Sequence, residues 1–485
     1  MQHIEDKKAV GRQMEAGDLI SVDGPQKSRK VLIIGLDCAP PELVFDHWRD
    51  DLPTLKRLME HGIYGKLEST IPPITVPAWM SMMTGKDPGQ LGFYGFRNRS
   101  SYDYDKLAFV TSQAVKEDTV WDILSRGGRR VIVVAVPPSY PPKPVNGIMV
   151  SCFLTPDRHS QFTFPADLKG EIEGLVGEYP FDVENFRTEN KQDLLKRIYD
   201  MTEKRFKVIK YLMQKKSWDF FMAVEIGPDR IHHGFWKYWD KRHPKHQPGS
   251  PYEGAIKEYY RYLDSEIGEL LALIDDQTVV MVVSDHGAKR MDGGICINEW
   301  LMQEGYLRLK ERPRGLMRIE EVAIDWAATK AWGEGGYYGR IFLNVKGREP
   351  QGIVDPSKYE RVRDDLIERL ERLTDEKGRA LATKVFKPQE VYKACRGVPP
   401  DLIVYLGDLH WRAMGTVGHD RIHVLENDTG PDDANHAEHG IFILYDPQQK
   451  GRGELQGLQI MDCAPTILNL FGVPIPGDMG GKIIR

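Results

Sequence analysis

Short apolar runs alternate with longer amphipathic segments along most of the chain. The apolar runs have the length and β-branched content of strands that are buried on both faces of a parallel sheet. The amphipathic segments repeat apolar positions every three or four residues, which predicts helices packed on that sheet. This alternation predicts a doubly wound, mostly parallel α/β fold. The predicted strands lie in residues 30–37, 129–137, 218–229, 278–287, 340–345, 400–406 and 439–446, and the longest predicted helices lie in 194–214 and 252–275.

The same pattern divides the chain into four segments. Residues 1–28 are polar and mixed in charge, which predicts a flexible N-terminal tail. Residues 29–304 form the first part of the α/β core, and residues 426–485 form its C-terminal part. Between them, residues 305–425 are rich in Gly and Arg and include a charged helix, which predicts an inserted cap subdomain.

Composition excludes several classes of protein. The 485 residues are 41% hydrophobic, which is ample for a large core, and the net charge of −5 gives no global attraction for nucleic acid. The N-terminus lacks the apolar core of a secretory signal, and no run reaches the ~18 apolar residues of a membrane span. We therefore expect a cytoplasmic protein. Five scattered Cys without a CxxC pair argue against a disulfide framework or a zinc ribbon.

Three predicted strands end in an acidic residue: Asp37, Asp229 and Asp285. One such Asp alone is typical of a turn or a helix N-cap. Three together are better explained by one site, because ligands bind beyond the carboxyl ends of the strands in this kind of sheet. His286 follows Asp285 directly, so a turn can direct both side chains to one point.

Further histidines have the spacing of metal ligands. If a helix begins just before Asp229, the i,i+4 partner His233 lies on the same face and can bind the same ion. The stretch "NHAEHG" offers either His436 or His439 immediately before an apolar strand. Three Asp and three His form a mixed oxygen and nitrogen set that suits zinc, and also manganese or iron.

Six ligands are too many for one tetrahedral ion and fit two ions that keep open positions. Two divalent cations with three carboxylates leave one positive charge, which favours an alkoxide or a phosphoryl oxygen. Two ions about 4 Å apart can hold the attacking and leaving oxygens of an in-line displacement.

Thr75 is the candidate nucleophile for such a displacement. It precedes Pro77, which is predicted to open a helix over "AWMSMMTG". A hydroxyl at a helix N-terminus lies beside backbone N–H groups that bind anions, and metal coordination would lower its pKa. The alternative is that Thr75 is only the N-cap of that helix.

Five motifs occur in the order found in the alkaline phosphatase superfamily: "GLDCAPP", "PPITVPAWMSMMTGKDPG", "PDRIHHG", "SDHG" and the terminal His…Gly block. They most resemble the type I phosphodiesterase/nucleotide pyrophosphatase branch, over roughly residues 30–300 and 430–475. The sulfatase pattern fits less well, since its Arg position holds Glu42 and Cys38 follows a ligand Asp.

The resemblance implies a role for each position. Thr75 would be the nucleophile and would join Asp37, Asp285 and His286 at one metal, while Asp229, His233 and His436 would hold the other. His436 fits better than His439 because relatives show His, three variable residues and then Gly, here Gly440. The residue that binds a phosphoryl oxygen in the nucleotide-cleaving members has Asn98 as its nearest counterpart, and the His that follows "TGKDPG" in many relatives is replaced by Leu91.

The implied activity is two-metal-dependent hydrolysis of a phosphodiester or pyrophosphate bond through a phospho-threonine intermediate. The substrate would be a small phosphate ester or a nucleotide-like molecule, and the cofactors would be two divalent ions, with zinc favoured. Two alternatives remain: a phosphotransferase or phosphomonoesterase on the same core, and a degenerate module that binds metal or phosphate without catalysis.

Overall fold

The computed structural model describes residues 29–104 and 107–485. The tail predicted for residues 1–28 lies outside the described residues.

Twenty-one strands are found in the described residues, and eleven of them precede residue 297. These eleven are β1 (Lys30–Leu36), β2 (Ile63–Glu68), β3 (Arg97–Arg99), β4 (Leu107–Phe109), β5 (Val131–Val134), β6 (Gly147–Val150), β7 (Thr163–Phe164), β8 (Phe220–Glu225), β9 (Thr278–Val283), β10 (Gly287–Arg290) and β11 (Gly293–Cys296). The others are β12 (Ala331–Glu334), β13 (Gly339–Leu343), β14 (Lys384–Phe386), β15 (Leu402–Tyr405), β16 (Trp411–Met414), β17 (His423–Val424), β18 (Ala434–Ala437), β19 (His439–Tyr445), β20 (Gly453–Glu454) and β21 (Leu458–Gln459).

Twelve α-helices lie between these strands in the same described part of the chain. They are α1 (Pro53–His61), α2 (Thr75–Thr84), α3 (Pro88–Leu91), α4 (Val120–Arg126), α5 (Leu168–Val176), α6 (Lys191–Lys215), α7 (Gly227–Trp239), α8 (Ala255–Leu271), α9 (Ile297–Gln303), α10 (Tyr359–Glu371), α11 (Pro388–Val391) and α12 (Cys463–Leu470). Shorter π- or 3-10-helical turns occur at Glu42–His47, Arg49–Asp51, Ser112–Ala114, Ile319–Glu321, Pro356–Lys358 and Ile460–Asp462.

A ten-stranded sheet forms the centre of the molecule, in the order β20-β2-β19-β9-β1-β8-β5-β6-β7, with β21 also paired to β2. Most neighbours are parallel, and β19 and β7 run antiparallel to theirs. The predicted mostly parallel α/β fold is therefore confirmed. Strand β1 lies between β8 and β9, so its carboxyl end is at the middle of the sheet edge.

Helices cover both faces of this sheet because successive side chains of β1 point in opposite directions. Leu32 and Ile34 belong to one apolar core with side chains of α1, α6, α7 and α8. Val31 and Ile33 belong to another core with side chains of α2, α4 and α12. Both faces of β1 are thus buried, as its continuous apolar sequence predicts.

A second lobe, residues 293–424, has its own apolar core. Its main sheet has the order β12-β13-β15-β14, and Leu366 and Leu370 of α10 pack in that core. Ile295 and Trp300 also belong to it, so residues before position 305 contribute to this lobe. A smaller cluster that includes Ile74 and Tyr405 packs the lobe against the start of α2.

Among the described residues, no helix is both long enough and apolar enough to cross a bilayer.

Candidate metal centre

The central strands bring two of the predicted acidic ligands to one point. Asp37 follows β1, and Asp285 lies two residues after β9, whose Val283 is paired with Gly35. Both carboxylates are fully buried. Trp79 Nε1 donates a hydrogen bond of 2.8 Å to Asp37, and the Cys38 backbone N–H donates one of 3.1 Å to Asp285. Parallel pairing of adjacent strands thus explains why residues far apart in sequence meet here.

Helix α7 supplies the next two ligands. Strand β8 ends at Glu225 rather than at Asp229, and the helix begins at Gly227, so Asp229 lies in its first turn. His233 follows one turn later, with Nε2 3.2 Å from Asp229 Oδ1. The predicted i,i+4 arrangement is present, although Asp229 belongs to the helix and not to the end of the strand.

His436 comes from a strand that follows the second lobe. Strand β18 pairs antiparallel with β10, which places His436 opposite Ala288. Its ring stacks on that of His286 with centroids 3.8 Å apart, and its Nε2 lies 3.6 Å from Asp229 Oδ1. His439, the fallback ligand, is exposed at the start of β19 and pairs with Glu68. The structure therefore brings His436 into the cluster and leaves His439 outside.

Each of the three imidazoles presents the same nitrogen to the cluster. The Nδ1 atoms lie within hydrogen-bond distance of Asp432 Oδ1 for His233, the Gly287 carbonyl for His286 and the Pro73 carbonyl for His436, at 2.7, 3.1 and 2.9 Å. These acceptors place a proton on Nδ1, so the neutral form of each imidazole has its free lone pair on Nε2. Metal-binding histidines are commonly oriented in this way.

The atoms that face one another in the cluster lack ordinary partners. Within the described residues, the unpartnered buried atoms include Asp37 Oδ1, Asp229 Oδ1, Asp285 Oδ2, His233 Nε2 and His436 Nε2. Buried polar atoms without partners are costly, and native proteins keep few of them. Cations accept electron pairs from both oxygen and nitrogen and would satisfy these atoms, so the donor set fits divalent metal ions.

The distances divide the donors into overlapping groups. Donor atoms of Asp229, His233 and His436 lie within 4.8 Å of one another, and so do those of Asp37, Asp229 and His286. Asp285 Oδ2 lies 3.2 Å from His286 Nε2 and adjoins the second group. Donor atoms of Cys38, His286 and His436 also meet the 4.8 Å limit, although the Cys38 thiol donates to the Gly287 carbonyl at 3.4 Å. We call the site around Asp37, Asp285 and His286 the strand half-site. We call the site around Asp229, His233 and His436 the helix half-site.

Thr75 lies next to the strand half-site. It is the first residue of α2, and Ile74 rather than Thr75 occupies the N-cap position. Its hydroxyl is buried and lies 3.3 Å from His286 Nε2. The helix begins at Thr75, two residues before Pro77. The prediction that the helix begins at Pro77 is therefore wrong by two residues. A helix N-terminus has free backbone N–H groups of the kind that bind anions, and the Thr75 hydroxyl places this one beside the cluster.

The carboxylates strongly affect one another. Burial raises the pKa of Asp37 well above its usual range, and the charge of Asp229 adds to the effect. Burial and the charge of Asp37 raise the pKa of Asp285 in the same direction. The pKa of Asp229 is lowered, because His233 and Arg230 outweigh the opposing effect of burial. Mutual repulsion between buried carboxylates is relieved when cations bind between them.

The imidazoles also deviate from ordinary histidines. Burial lowers the pKa of both His286 and His436, so both are neutral and able to coordinate. Burial acts in the same direction on His233, but Asp432 outweighs it and raises the pKa of His233 well above the usual range. A metal ion must therefore displace a proton from this imidazole.

Two residues near the helix half-site were missed by the sequence analysis. Asp432 accepts hydrogen bonds from Arg187 and Arg412 at 2.8 and 2.9 Å, in addition to its contact with His233. The ring of Tyr337, in the second lobe, stacks on His436 with centroids 3.7 Å apart. The "DD" pair before "ANHAEHG" was a visible signal for Asp432, whereas nothing in the local sequence identified Tyr337.

Asn98, the candidate phosphoryl-binding residue, uses its amide within a turn. Its Oδ1 accepts from the Tyr94 backbone N–H at 2.6 Å, and its Nδ2 donates to the Gly95 carbonyl at 2.8 Å. Leu91 is buried and belongs to the core that contains α2.

Comparison with known proteins agrees with this geometry. The family model described as type I phosphodiesterase / nucleotide pyrophosphatase matches residues 31–441. Human ectonucleotide pyrophosphatase / phosphodiesterase 5 is 13% identical, with a TM-score of 0.54 over 92% of this chain and 96% of that chain. The murine protein, in an inactive form in complex with AMP, is also 13% identical, with a TM-score of 0.53 and the same coverage. At these identities the structural likeness establishes the fold alone. No curated protein sequence matches significantly.

Proposed function

Since the chain belongs to the type I phosphodiesterase / nucleotide pyrophosphatase family, we propose that it hydrolyses phosphodiester or pyrophosphate bonds with two divalent metal ions and Thr75 as nucleophile. The observation that supports this most directly is the set of unpartnered Asp and His atoms beside the Thr75 hydroxyl. Members of this family are metal-dependent hydrolases of phosphate esters. The bond cleaved, the metal and the roles of individual residues belong to the proposal.

The ligands would be shared between two ions. The strand half-site, with the Thr75 oxygen, would hold one ion, and the helix half-site would hold the other. When bound, the ions would supply positive charge to the reacting phosphoryl oxygens and lower the pKa of the attacking group. Zinc suits this set of carboxylate and imidazole ligands, and manganese or iron are the alternatives.

The chain itself contributes position and charge. The start of α2 holds the Thr75 hydroxyl at the buried end of the site, where its N-terminal N–H groups favour an anionic phosphoryl group. In the first step the Thr75 oxygen bonds to phosphorus, its proton passes to solvent, and the bond to the leaving oxygen breaks. The substituent that does not leave stays on phosphorus in this intermediate. In the second step water attacks that phosphorus, which releases a phosphomonoester and restores the Thr75 hydroxyl.

A substrate panel on metal-loaded protein tests this proposal. Bis-p-nitrophenyl phosphate, p-nitrophenyl phosphate and a nucleotide pyrophosphate should be compared by kcat/KM, with ions removed by chelation as the blank. We expect the diester or the pyrophosphate to be preferred over the monoester. Faster turnover of the monoester would favour a phosphomonoesterase, and phosphoryl transfer to an added alcohol in place of water would favour a phosphotransferase.

Metal analysis separates both enzymes from a binding module. We expect close to two divalent ions for each chain after loading with zinc or manganese. Fewer than one ion, together with no turnover of any ester, would favour the non-catalytic alternative.

A further inference from the structure

A cleft of about 860 Å³ lies between the core and the second lobe, directly beside the helix half-site. Ile74, the neighbour of Thr75, lines it. Tyr337, whose ring stacks on His436, lines it as well and packs against the apolar cluster that contains Ile74. A phosphoryl group placed at Thr75 therefore has its remaining substituents in or near this cleft. The volume is large enough for a molecule well beyond a single phosphate.

Arginine is the dominant charged residue of this cleft. The arginines that line it are Arg97, Arg187, Arg230, Arg318, Arg340 and Arg412, and the carboxylates are Glu320, Glu321, Glu334 and Asp428. Arginines thus outnumber carboxylates in the lining by six to four, whereas the chain as a whole has a net charge of −5. None of the described residues that line it is a lysine. Exclusive use of arginine is typical of sites that bind oxyanions through two parallel N–H groups.

Three of these, the inner arginines Arg187, Arg230 and Arg412, are already occupied. Arg187 and Arg412 both donate to Asp432. Arg230 donates twice to Asp182 at 2.7 Å and also contacts Asp229. Their charges are compensated by carboxylates that hold the helix half-site together. They are therefore part of the support for the metal ligands.

The other three, the outer arginines Arg97, Arg318 and Arg340, differ from the inner ones. The nearest carboxylate oxygen to Arg97 is that of Glu320 at 3.7 Å, and Arg340 Nη2 lies 3.6 Å from Glu334. Both distances exceed a hydrogen bond. Arg318 is exposed and forms no ion pair with any residue in the described ranges.

The outer arginines also share one wall of the cleft. Arg340 Nη1 donates to the backbone carbonyl of Arg97 at 2.5 Å, which places the Arg340 guanidinium beside the Arg97 backbone. Arg318 adjoins Ile319 and Glu320, which line the same cleft. Arg340 is 6% exposed and lines the cleft, where its Nη2 lies 3.6 Å from Glu334. A ligand oxygen at hydrogen-bond distance would compete with this longer ion pair.

We propose that Arg97, Arg318 and Arg340 bind a second phosphate group of the substrate, beyond the phosphorus that reacts at Thr75. This rests on the proposed function and makes it more specific: preferred substrates are diesters or pyrophosphates that carry an additional phosphomonoester. A terminal phosphate presents three oxygens and nearly two negative charges to these guanidinium groups. An uncharged substituent leaves Arg97 and Arg340 with only their long ion pairs to Glu320 and Glu334.

Binding to Thr75→Ala protein tests the subsite without turnover. The probes are adenosine 5′-monophosphate, adenosine 2′,5′-bisphosphate and adenosine 3′,5′-bisphosphate, titrated calorimetrically into metal-loaded protein. We expect at least one bisphosphate to bind about tenfold more tightly than the monophosphate, with a preference that weakens as salt is raised. Equal affinity for all three probes would overturn the inference.

Turnover of a matched pair gives the second readout. NAD⁺ and NADP⁺ have the same pyrophosphate bond and differ in one phosphomonoester. We expect a higher kcat/KM for NADP⁺, arising mainly from a lower KM. If NAD⁺ or bis-p-nitrophenyl phosphate is hydrolysed but neither readout shows a preference for the additional phosphate, the subsite is wrong and the hydrolase stands. Tighter bisphosphate binding without any turnover would support the subsite and count against the proposed hydrolysis.

Substitutions assign the effect to the outer arginines. Arg97→Gln and Arg340→Gln should each reduce the preference, so that the bisphosphate binds at most about threefold more tightly than the monophosphate. Arg340 is buried, so the more exposed Arg97, with a side chain 36% exposed, provides the variant that is expected to fold. Arg372→Gln on α10, which pairs only with Glu368 on the surface, is the matched control and should keep the full preference. A folded Arg97 variant that also keeps the full preference would contradict the assignment.

Discussion

The strand half-site and the helix half-site use similar ligands but are supported in different ways. Asp37 and Asp285 follow adjacent parallel strands at the centre of the sheet, so backbone pairing alone brings them together. The helix half-site combines α7 with β18, which returns only after the second lobe. Its His233 is oriented by Asp432, which is held by two arginines from distant segments. The strand half-site therefore follows from the sheet, whereas the helix half-site depends on side chains that connect the two lobes.

The largest expected effect is the loss of turnover on substitution of Thr75, the proposed nucleophile beside the two half-sites. Thr75→Ala should reduce turnover by about 10³-fold or more, because no other hydroxyl can form the phospho-threonine. Metal content should remain close to that of the original protein, since Asp37, Asp285 and His286 stay in place. Turnover is measured by a discontinuous assay, and metal content is measured on the same sample. Thr75→Ser, which keeps a hydroxyl, is the control, and Thr75→Ala turnover within tenfold of the original would exclude Thr75 as nucleophile.

Loss of the carboxylate beside His233 should weaken only the helix half-site. Asp432→Asn removes the charge that holds the His233 Nδ1 proton, and we expect one of two metal-binding steps to weaken about 10- to 100-fold. Competition with a chelator of known affinity measures both steps. Asp428→Asn is the control, because Asp428 accepts a hydrogen bond from the Thr416 hydroxyl at 3.0 Å and has no contact with His233. Equal weakening of both steps would mean that the two half-sites act as one unit.

A smaller loss of metal affinity is expected at the strand half-site when the hydrogen bond to Asp37 is removed. Trp79→Phe removes the hydrogen bond to Asp37 while it keeps an aromatic ring in the core, so metal affinity there should fall by about tenfold or less. Trp121→Phe is the matched control, since Trp121 is buried in the same core and has no contact with the metal ligands. If both substitutions change affinity equally, the cause is packing and not the hydrogen bond.

The smallest effect concerns the acid stability of the segment behind the helix half-site. Burial lowers the pKa of His243 to about 4, and its Nε2 contacts the Asp433 carbonyl at 3.0 Å. Below the unfolded pKa of about 6.5, the unfolded chain gains a proton that folded His243 does not, so stability falls as pH is lowered toward 4. Between pH 7 and pH 5.5, the free energy of unfolding should fall by about 1 kcal/mol less in His243→Gln than in the original protein.

Urea unfolding at several pH values measures this difference at constant metal concentration. His61→Gln, at an exposed helix end, is the control and should leave the pH dependence unchanged. A His243→Gln curve parallel to the original would show that His243 is not the linked group.

Several site residues were predictable because their local patterns were unambiguous. The run "TVVMVV" is buried throughout as β9, so Asp285 and His286 had to lie at its end. The spacing of Asp229 and His233 matched one helical turn, although the strand before them is shorter than predicted. The indole of Trp79 is buried in the core, but its N–H also donates to Asp37. Periodicity describes which face of a helix is buried and does not describe what one polar atom on that face will contact.

Local sequence patterns were sufficient to predict the α/β fold, the acids after the strands and the helix with Asp229 and His233, because apolar periodicity acts over neighbouring residues. The choice between His436 and His439 required the folded chain, since it depends on which residue of β18 lies opposite Ala288. The same is true of Asp432 with its arginines and of the outer arginines of the cleft. Long-range pairing between charged groups leaves no periodic signal in the chain, and it exists only when the two lobes pack together.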